Sequence, residues 1–153
     1  MADGVGVDLE DLDALARFDG AADRLVRRWL DGPEQAWCRR QADPARAFVV
    51  VWGCREAAFK AGAGARSPDD VRLRLVGTLA RGHGRALRGG RVTALLGWRA
   101  TGRHMIAVAV GAAHTEPDLV DRLLSLAVEE DRDADSGYRR HRVHRHGPGE
   151  APA

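Results

Sequence analysis

The chain opens on Gly4-Val5-Gly6-Val7-Asp8-Leu9, where small and β-branched residues alternate before a run of acids, the pattern of a short strand. From Ala21 to Leu30 the spacing of Leu25, Arg28 and Trp29 is helical, Gly32-Pro33 breaks it, and a second short helix is predicted from Glu34 to Gln41. Asp43-Pro44 combines a capping side chain with proline at the first helical position and opens a helix over 44–61. Gly62-Ala63-Gly64 closes it with the glycine signal of a helix C-terminus. The period then changes to two. Val71 to Leu75, Arg91 to Trp98 and His104 to Gly111 read as strands, the last two joined by a hairpin loop over 99–103. The stretch 77–90 has no clear period. Pro117 to Val128 carries an apolar stripe at Leu119, Val120, Leu123, Leu124 and Ala127 and reads as a closing helix. The fold class is therefore α+β: a strand, then helices, then an antiparallel sheet. Residues 1–128 are expected to form one domain. Residues 129–153, without a core-forming pattern, are expected to be a disordered charged tail.

Composition narrows the class without deciding the function. A chain of 153 residues, 44% hydrophobic and 30% charged, has the make-up of a globular domain with a core of its own. No apolar run approaches the roughly 20 residues that cross a bilayer, so no membrane association is expected. The first residues lack a secretory signal, and Cys38 and Cys54 form neither a CxxC pair nor a disulfide framework, so the expected compartment is the cytoplasm. The net charge of +2, slightly higher before residue 129, fits an anionic small molecule or an acidic protein partner without requiring either.

One bias is sharper. Of the 24 basic residues only Lys60 is lysine. Where arginine serves for every other positive charge, the exception marks a place that needs a compact ammonium able to give up a proton. A chance survivor on a solvated helix face is the plain alternative. Asp8 and Glu10, two apart at the end of the first strand, share one face of an extended chain. Like charges side by side are costly unless a cation lies between them, although an ordinary acidic loop would have the same sequence. On the central helix Trp52, Glu56 and Lys60 follow at i, i+4 and i+8 on one face. Phe48, Val49, Trp52, Ala57 and Phe59 make that helix apolar nearly all round. A buried helix needs partners or a ligand for its charges. Arg55 adds a second cation with the fork geometry that meets phosphate oxygens.

Two segments taken together resemble a known family. Gly6-Val7-Asp8-Leu9-Glu10, and about 45 residues later Trp52-Gly53-Cys54-Arg55-Glu56-Ala57-Ala58-Phe59-Lys60, are similar to the paired motifs of the 4'-phosphopantetheinyl transferases. Arg55 stands where the family's helix motif carries lysine. Arg28-Trp29-Leu30-Asp31-Gly32-Pro33-Glu34 and the late strand Gly102 to Ala109 extend the likeness over residues 4 to 115. The resemblance implies an enzyme that moves the phosphopantetheine arm of coenzyme A onto a serine of an acyl or peptidyl carrier protein, as in fatty acid or polyketide biosynthesis. Adenosine 3',5'-bisphosphate is released. It implies Mg²⁺, or Mn²⁺ in its place, on Asp8, Glu10 and Glu56. Glu56 would take the serine proton, and Lys60 would neutralise the pyrophosphate, with Arg55 as a further phosphate contact.

The length is that of the compact members, which trimerise and build their sites between subunits, so a homo-oligomer, most simply a trimer, is expected. Glu10 and the chain's ending look more like the second half of the two-domain members. Two rivals remain. A catalytically weak relative would serve as a CoA- or carrier-binding regulatory domain. Nucleic-acid binding through the Arg- and His-rich stretch 138–146 is opposed by the acids before it and by the lack of an evident basic face on the folded part, so no nucleic-acid partner is expected.

Overall fold

The computed structural model describes residues 4–16, 20–113, 116 and 118–129; the tail expected over 129–153 lies outside them apart from Glu129. The chain runs β1 (Val5–Asp11), α1 (Ala21–Trp29), α2 (Gly32–Arg39), α3 (Pro44–Lys60), a 3₁₀ turn (Pro68–Asp70), β2 (Arg72–Gly77), β3 (Arg81–Arg88), β4 (Arg91–Thr101) and β5 (His104–Gly111). A last helix, α4, covers 119–129. The strands form one antiparallel sheet in the order β1-β5-β4-β3-β2, which puts the first strand beside the last and leaves β1 and β2 as edges. The expected α+β architecture is the observed one.

Period two along the strands sorts two apolar layers. Met105, Ala107 and Ala109 of β5, with Leu96 and Trp98 of β4, join the main core with α3; Ile106 and Val108 join Leu124 and Val128 of α4 on the other face. The buried helix α3 lies against β1, β5 and β4 because its contact stripe is small. Gly53, Ala57 and Ala61 recur every fourth residue, and β1 answers with Gly6. A Cβ on Gly6 would stand 2.0 Å from the Ala57 carbonyl oxygen and 2.5 Å from the Ala61 nitrogen. Strand and helix therefore meet backbone to backbone, and no larger residue fits at position 6.

Three elements differ from the sequence pattern, each for a local reason. Gly32-Pro33 does not separate two helices but begins α2. Asp31 accepts from the Glu34 N–H, Glu34 accepts from the Asp31 N–H, and Pro33 occupies the first turn, where its missing donor costs nothing. The uninformative stretch 77–90 contains all of β3, whose Gly82 and Gly84 erase the alternation. At Gly82 a Cβ would meet Trp98 Cζ2 at 2.2 Å, so glycine is there to seat the indole. The loop expected over 99–103 is shorter, since Thr101 pairs with His104 across a two-residue turn in which Gly102 takes a left-handed φ of 64°.

Candidate active site

Positions 55 and 56 of α3 are neighbours in sequence and opposite in fate. Arg55 turns inward. Its Nη2 lies 2.5 Å from Glu34 Oε2 and its Nε donates to Glu34 Oε1, while that same oxygen accepts from the Leu73 backbone at 2.8 Å. Both side chains have no accessible surface. This corrects the expectation that Arg55 meets phosphate. A guanidinium enclosed with its own carboxylate ties α3 to α2 and β2 and is out of reach of a solvent-borne pyrophosphate. Glu34, the buried partner, is a residue the sequence presented as a helix start and as the end of the family-like segment 28–34, with no sign of its pairing to Arg55.

Glu56 turns the other way, toward β1. Asp8, Glu10 and Glu56 each bring an oxygen within 4.8 Å of the others. The alternation of β1 sends Asp8 and Glu10 to the α3 side while Val5, Val7 and Leu9 face out. Gly53 on α3 makes room. A Cβ there would lie 2.7 Å from Met105 Cε, 2.9 Å from Glu10 Cγ and 3.3 Å from Asp8 Oδ2. Gly53 is thus a site residue that the motif contained and the sequence reading passed over.

Lys60, at the end of α3, completes the group. Its Nζ is 2.5 Å from Asp8 Oδ1 and 3.3 Å from the Val7 carbonyl oxygen. The lysine remains 49% exposed while Asp8 is 7% exposed, so the ammonium caps the acids from the solvent side. Trp52 Nε1 donates to Glu56 Oε1 at 2.9 Å, fixing one oxygen of that carboxylate. Trp52 is held in turn between Phe48, stacked at 6.1 Å, and Trp29, edge-on at 6.2 Å.

The electrostatics are unbalanced. One ammonium faces three carboxyl groups. Burial, reinforced by the charges of Asp8 and Glu56, pushes Glu10 up to about 7. Glu56 is also raised, by burial and then by Asp8, with the Trp52 hydrogen bond pulling the other way. Lys60 is raised, chiefly by its hydrogen bond to Asp8. Asp8 Oδ2 is buried and has no partner. An orphaned carboxylate oxygen beside two glutamates of raised proton affinity is what a hard divalent cation relieves, and a donor set of oxygens alone suits Mg²⁺ or Mn²⁺ rather than zinc. The residues present fit such an ion.

Just past Lys60 the chain forms one wall of a cleft of about 490 Å³, lined by Gly62, Ala63 and Gly64 and, from the β3–β4 hairpin, by Arg88, Arg91 and Thr93. Arg88 donates to the Gly64 carbonyl; Arg91 stands directly across the hairpin from it. A cationic cleft is therefore walled by the residues that follow Lys60 in the chain.

No curated protein matches this chain. A family model, described as the 4'-phosphopantetheinyl transferase superfamily, matches residues 4–101. That span holds β1 and α3 with every side chain of the cluster, and nearly all of the sheet except β5. On this match the chain belongs to the 4'-phosphopantetheinyl transferase superfamily.

Proposed function

We propose that the protein transfers the 4'-phosphopantetheine arm of coenzyme A to a serine of an acyl or peptidyl carrier protein in a Mg²⁺-dependent reaction. The observation that carries this reading is the convergence of Asp8, Glu10 and Glu56, with a buried unpartnered oxygen on Asp8, against a single lysine. A bound Mg²⁺ on these three carboxylates would supply positive charge to the pyrophosphate. Glu56 is the base. It reaches the cluster from α3 with one oxygen fixed by the Trp52 N–H, which positions the carboxylate to take the serine proton. The serine oxygen forms a bond to the phosphorus on the pantetheine side of the pyrophosphate. The bond from that phosphorus to the bridging oxygen breaks, and adenosine 3',5'-bisphosphate leaves with the bond's electron pair. Lys60, half-exposed and aimed at the cluster, neutralises the charge that develops on the leaving phosphate. The cleft beyond Lys60, with Arg91 and three residues at 62–64, accommodates the nucleotide portion.

We further infer a homo-oligomer, most simply a trimer. Val5, Val7 and Leu9 on the outer face of the edge strand β1 are 49%, 47% and 55% exposed, an apolar row that a second copy would cover. Light scattering showing a monodisperse monomer that still turns over CoA would remove this part.

The function is tested by intact-mass spectrometry of an apo carrier protein incubated with this chain, CoA and Mg²⁺, beside Glu56→Ala. The expected outcome is a mass gain of one phosphopantetheine arm, lowered by about 10²- to 10⁴-fold in rate in the variant. CoA binding with no transfer to several carriers would instead favour a regulatory domain. Neither binding nor transfer would overturn the reading.

A further inference from the structure

The sheet face turned away from α3 holds a second and larger cleft, about 870 Å³, between β2, β3 and β4 and the first turns of α4. Gly97 brings the helix wall close, since a Cβ there would stand 2.8 Å from Leu124 Cδ1 and 2.9 Å from Val120 Cγ1. Period two sends Arg81, His83 and Arg85 of β3 to this face, and the register sets an arginine directly opposite each of the outer two. Arg81 pairs with Arg99 of β4, and Arg85 pairs with Arg74 of β2. Cβ atoms of such neighbours are about 4.5–5.5 Å apart, and like charges so placed are destabilising. All four arginines and His83 line the cleft. Arg74 has a carboxylate, Asp31, at 3.0 Å. Among the described residues Arg81, Arg85 and Arg99 are in no ion pair, and Asp121 is the one acid lining the cleft. The folded part thus has a basic face that the linear sequence conceals, and its positive charge is no more balanced than the negative charge of the acid cluster.

The layout selects the occupant. The two arginine pairs flank His83, with four residues of strand, about 13 Å, between Arg81 and Arg85. Long side chains from both ends can close over that interval and meet on one compact anion of several charges. Each guanidinium fork takes two oxygens at a time, so a carboxylate is filled by a single arginine, whereas a phosphate has oxygens for two. Linked phosphates therefore relieve both like-charge pairs together. A nucleic-acid strand fits less well, because its bases need exposed rings to stack on. The one indole lining the cleft, Trp98, is fully buried and donates its N–H to the Thr78 carbonyl. We propose that this groove binds a compact oligophosphate, free or carried on a nucleoside, with Arg81, Arg85 and Arg99 as its main contacts. It shares no lining residue with the cleft walled by Gly62 to Gly64, and it lies on the opposite face of the sheet from Asp8 and Glu10. The proposal is independent of the transferase reading, since the binding requires neither metal, CoA nor carrier protein.

The test is calorimetric titration of the full chain with inorganic tripolyphosphate, and in a second arm with ATP, in metal-free buffer of low ionic strength. The expected binding event weakens by about tenfold or more in Arg81→Gln/Arg85→Gln, weakens in the same direction in Arg99→Gln, and survives in Arg88→Gln/Arg91→Gln, which alters only the other cleft. Removing like-charge neighbours should leave the first variant folded, with a thermal midpoint no lower than the parent's, and tripolyphosphate should raise the parent's midpoint more than the variant's. Tighter binding of ATP than of tripolyphosphate would assign the phosphates to a nucleotide, and the reverse to a free oligophosphate. No binding of either, or binding lost in Arg88→Gln/Arg91→Gln and kept in Arg81→Gln/Arg85→Gln, overturns the proposal. So does an oligoaspartate or a single-stranded oligonucleotide of equal charge that binds as tightly as tripolyphosphate, because the face would then serve an acidic protein or a nucleic-acid backbone.

Discussion

Arg55 and Glu56 lie side by side on α3 and end in two charged clusters of opposite character. The Arg55–Glu34 pair is enclosed, one against one, and Glu34 accepts four hydrogen bonds, two from Arg55, one from the Leu73 N–H and one from the Asp31 N–H at the start of its own helix. The Asp8–Glu10–Glu56–Lys60 cluster is half-open, three against one, with an oxygen left over. The first is a structural tie between elements. The second holds charge that the protein does not neutralise by itself, and that surplus marks it as the place for a ligand. Burial of charge does not separate the two; the balance of charge does.

The largest expected effect is on the balanced cluster. Glu34→Ala leaves a buried guanidinium uncompensated and removes the Glu34 half of the capping box of α2, and should cost about 3–5 kcal/mol in denaturant-induced unfolding. The double variant Glu34→Leu/Arg55→Met, which removes both charges at similar volume, should recover most of that loss and bind Mg²⁺ as the parent does. A double variant as unstable as the single one, or one that no longer binds the ion, would break the distinction between tie and site.

Next comes the packing that lets the unbalanced cluster form. Gly53→Ala inserts a methyl group 2.9 Å from Glu10 Cγ and 2.7 Å from Met105 Cε. The methionine end can move, so the fold should lose only about 1–3 kcal/mol, whereas displacement of Glu10 should weaken divalent-cation binding by about 10- to 100-fold. Calorimetric titration with Mn²⁺, set beside thermal unfolding, separates the two effects. Unchanged affinity would show that Glu10 does not need its present position.

Much of this comparison was legible in the sequence, and its limits are physical. The two-residue spacing of Asp8 and Glu10 and the helical spacing of Trp52, Glu56 and Lys60 each fix a face, and it was the resemblance to the family's paired motifs that joined the two faces into one set of acids. The α+β order followed from the change of period after Gly64. Arg55 could not be placed the same way. Its neighbour's direction says only that it points elsewhere, and its partner Glu34 is 21 residues back on another helix, a pairing that tertiary packing decides. Gly53 gave no signal because the need for a missing Cβ appears only when two backbones and two side chains meet. Strand β3 was hidden for a related reason, since Gly82 and Gly84 serve Trp98 and Leu75 on adjacent strands rather than their own periodicity.

The smallest expected effect concerns protons and sharpens the charge count directly. Glu10 has a folded-state pKa of about 7 against an ordinary 4.5, so the metal-free folded protein holds a proton there that the unfolded chain releases. Stability contributed by that proton is complete below about pH 4.5 and is lost as pH rises through 7, the reverse of a salt-bridged carboxylate. Glu10→Gln removes the titration. In EDTA the variant should therefore melt above the parent at pH 8 by a few degrees and converge with it toward pH 4.5, leaving a residual slope from Glu56, which is raised in the same direction. Adding Mg²⁺ at pH 8 should stabilise the parent and do less for the variant, because the ion replaces the proton on the same oxygens. Thermal melts at three pH values, with and without the ion, decide it. Parallel parent and variant curves across that range would mean that Glu10 carries no surplus charge, and the contrast between the two clusters would reduce to a difference in burial.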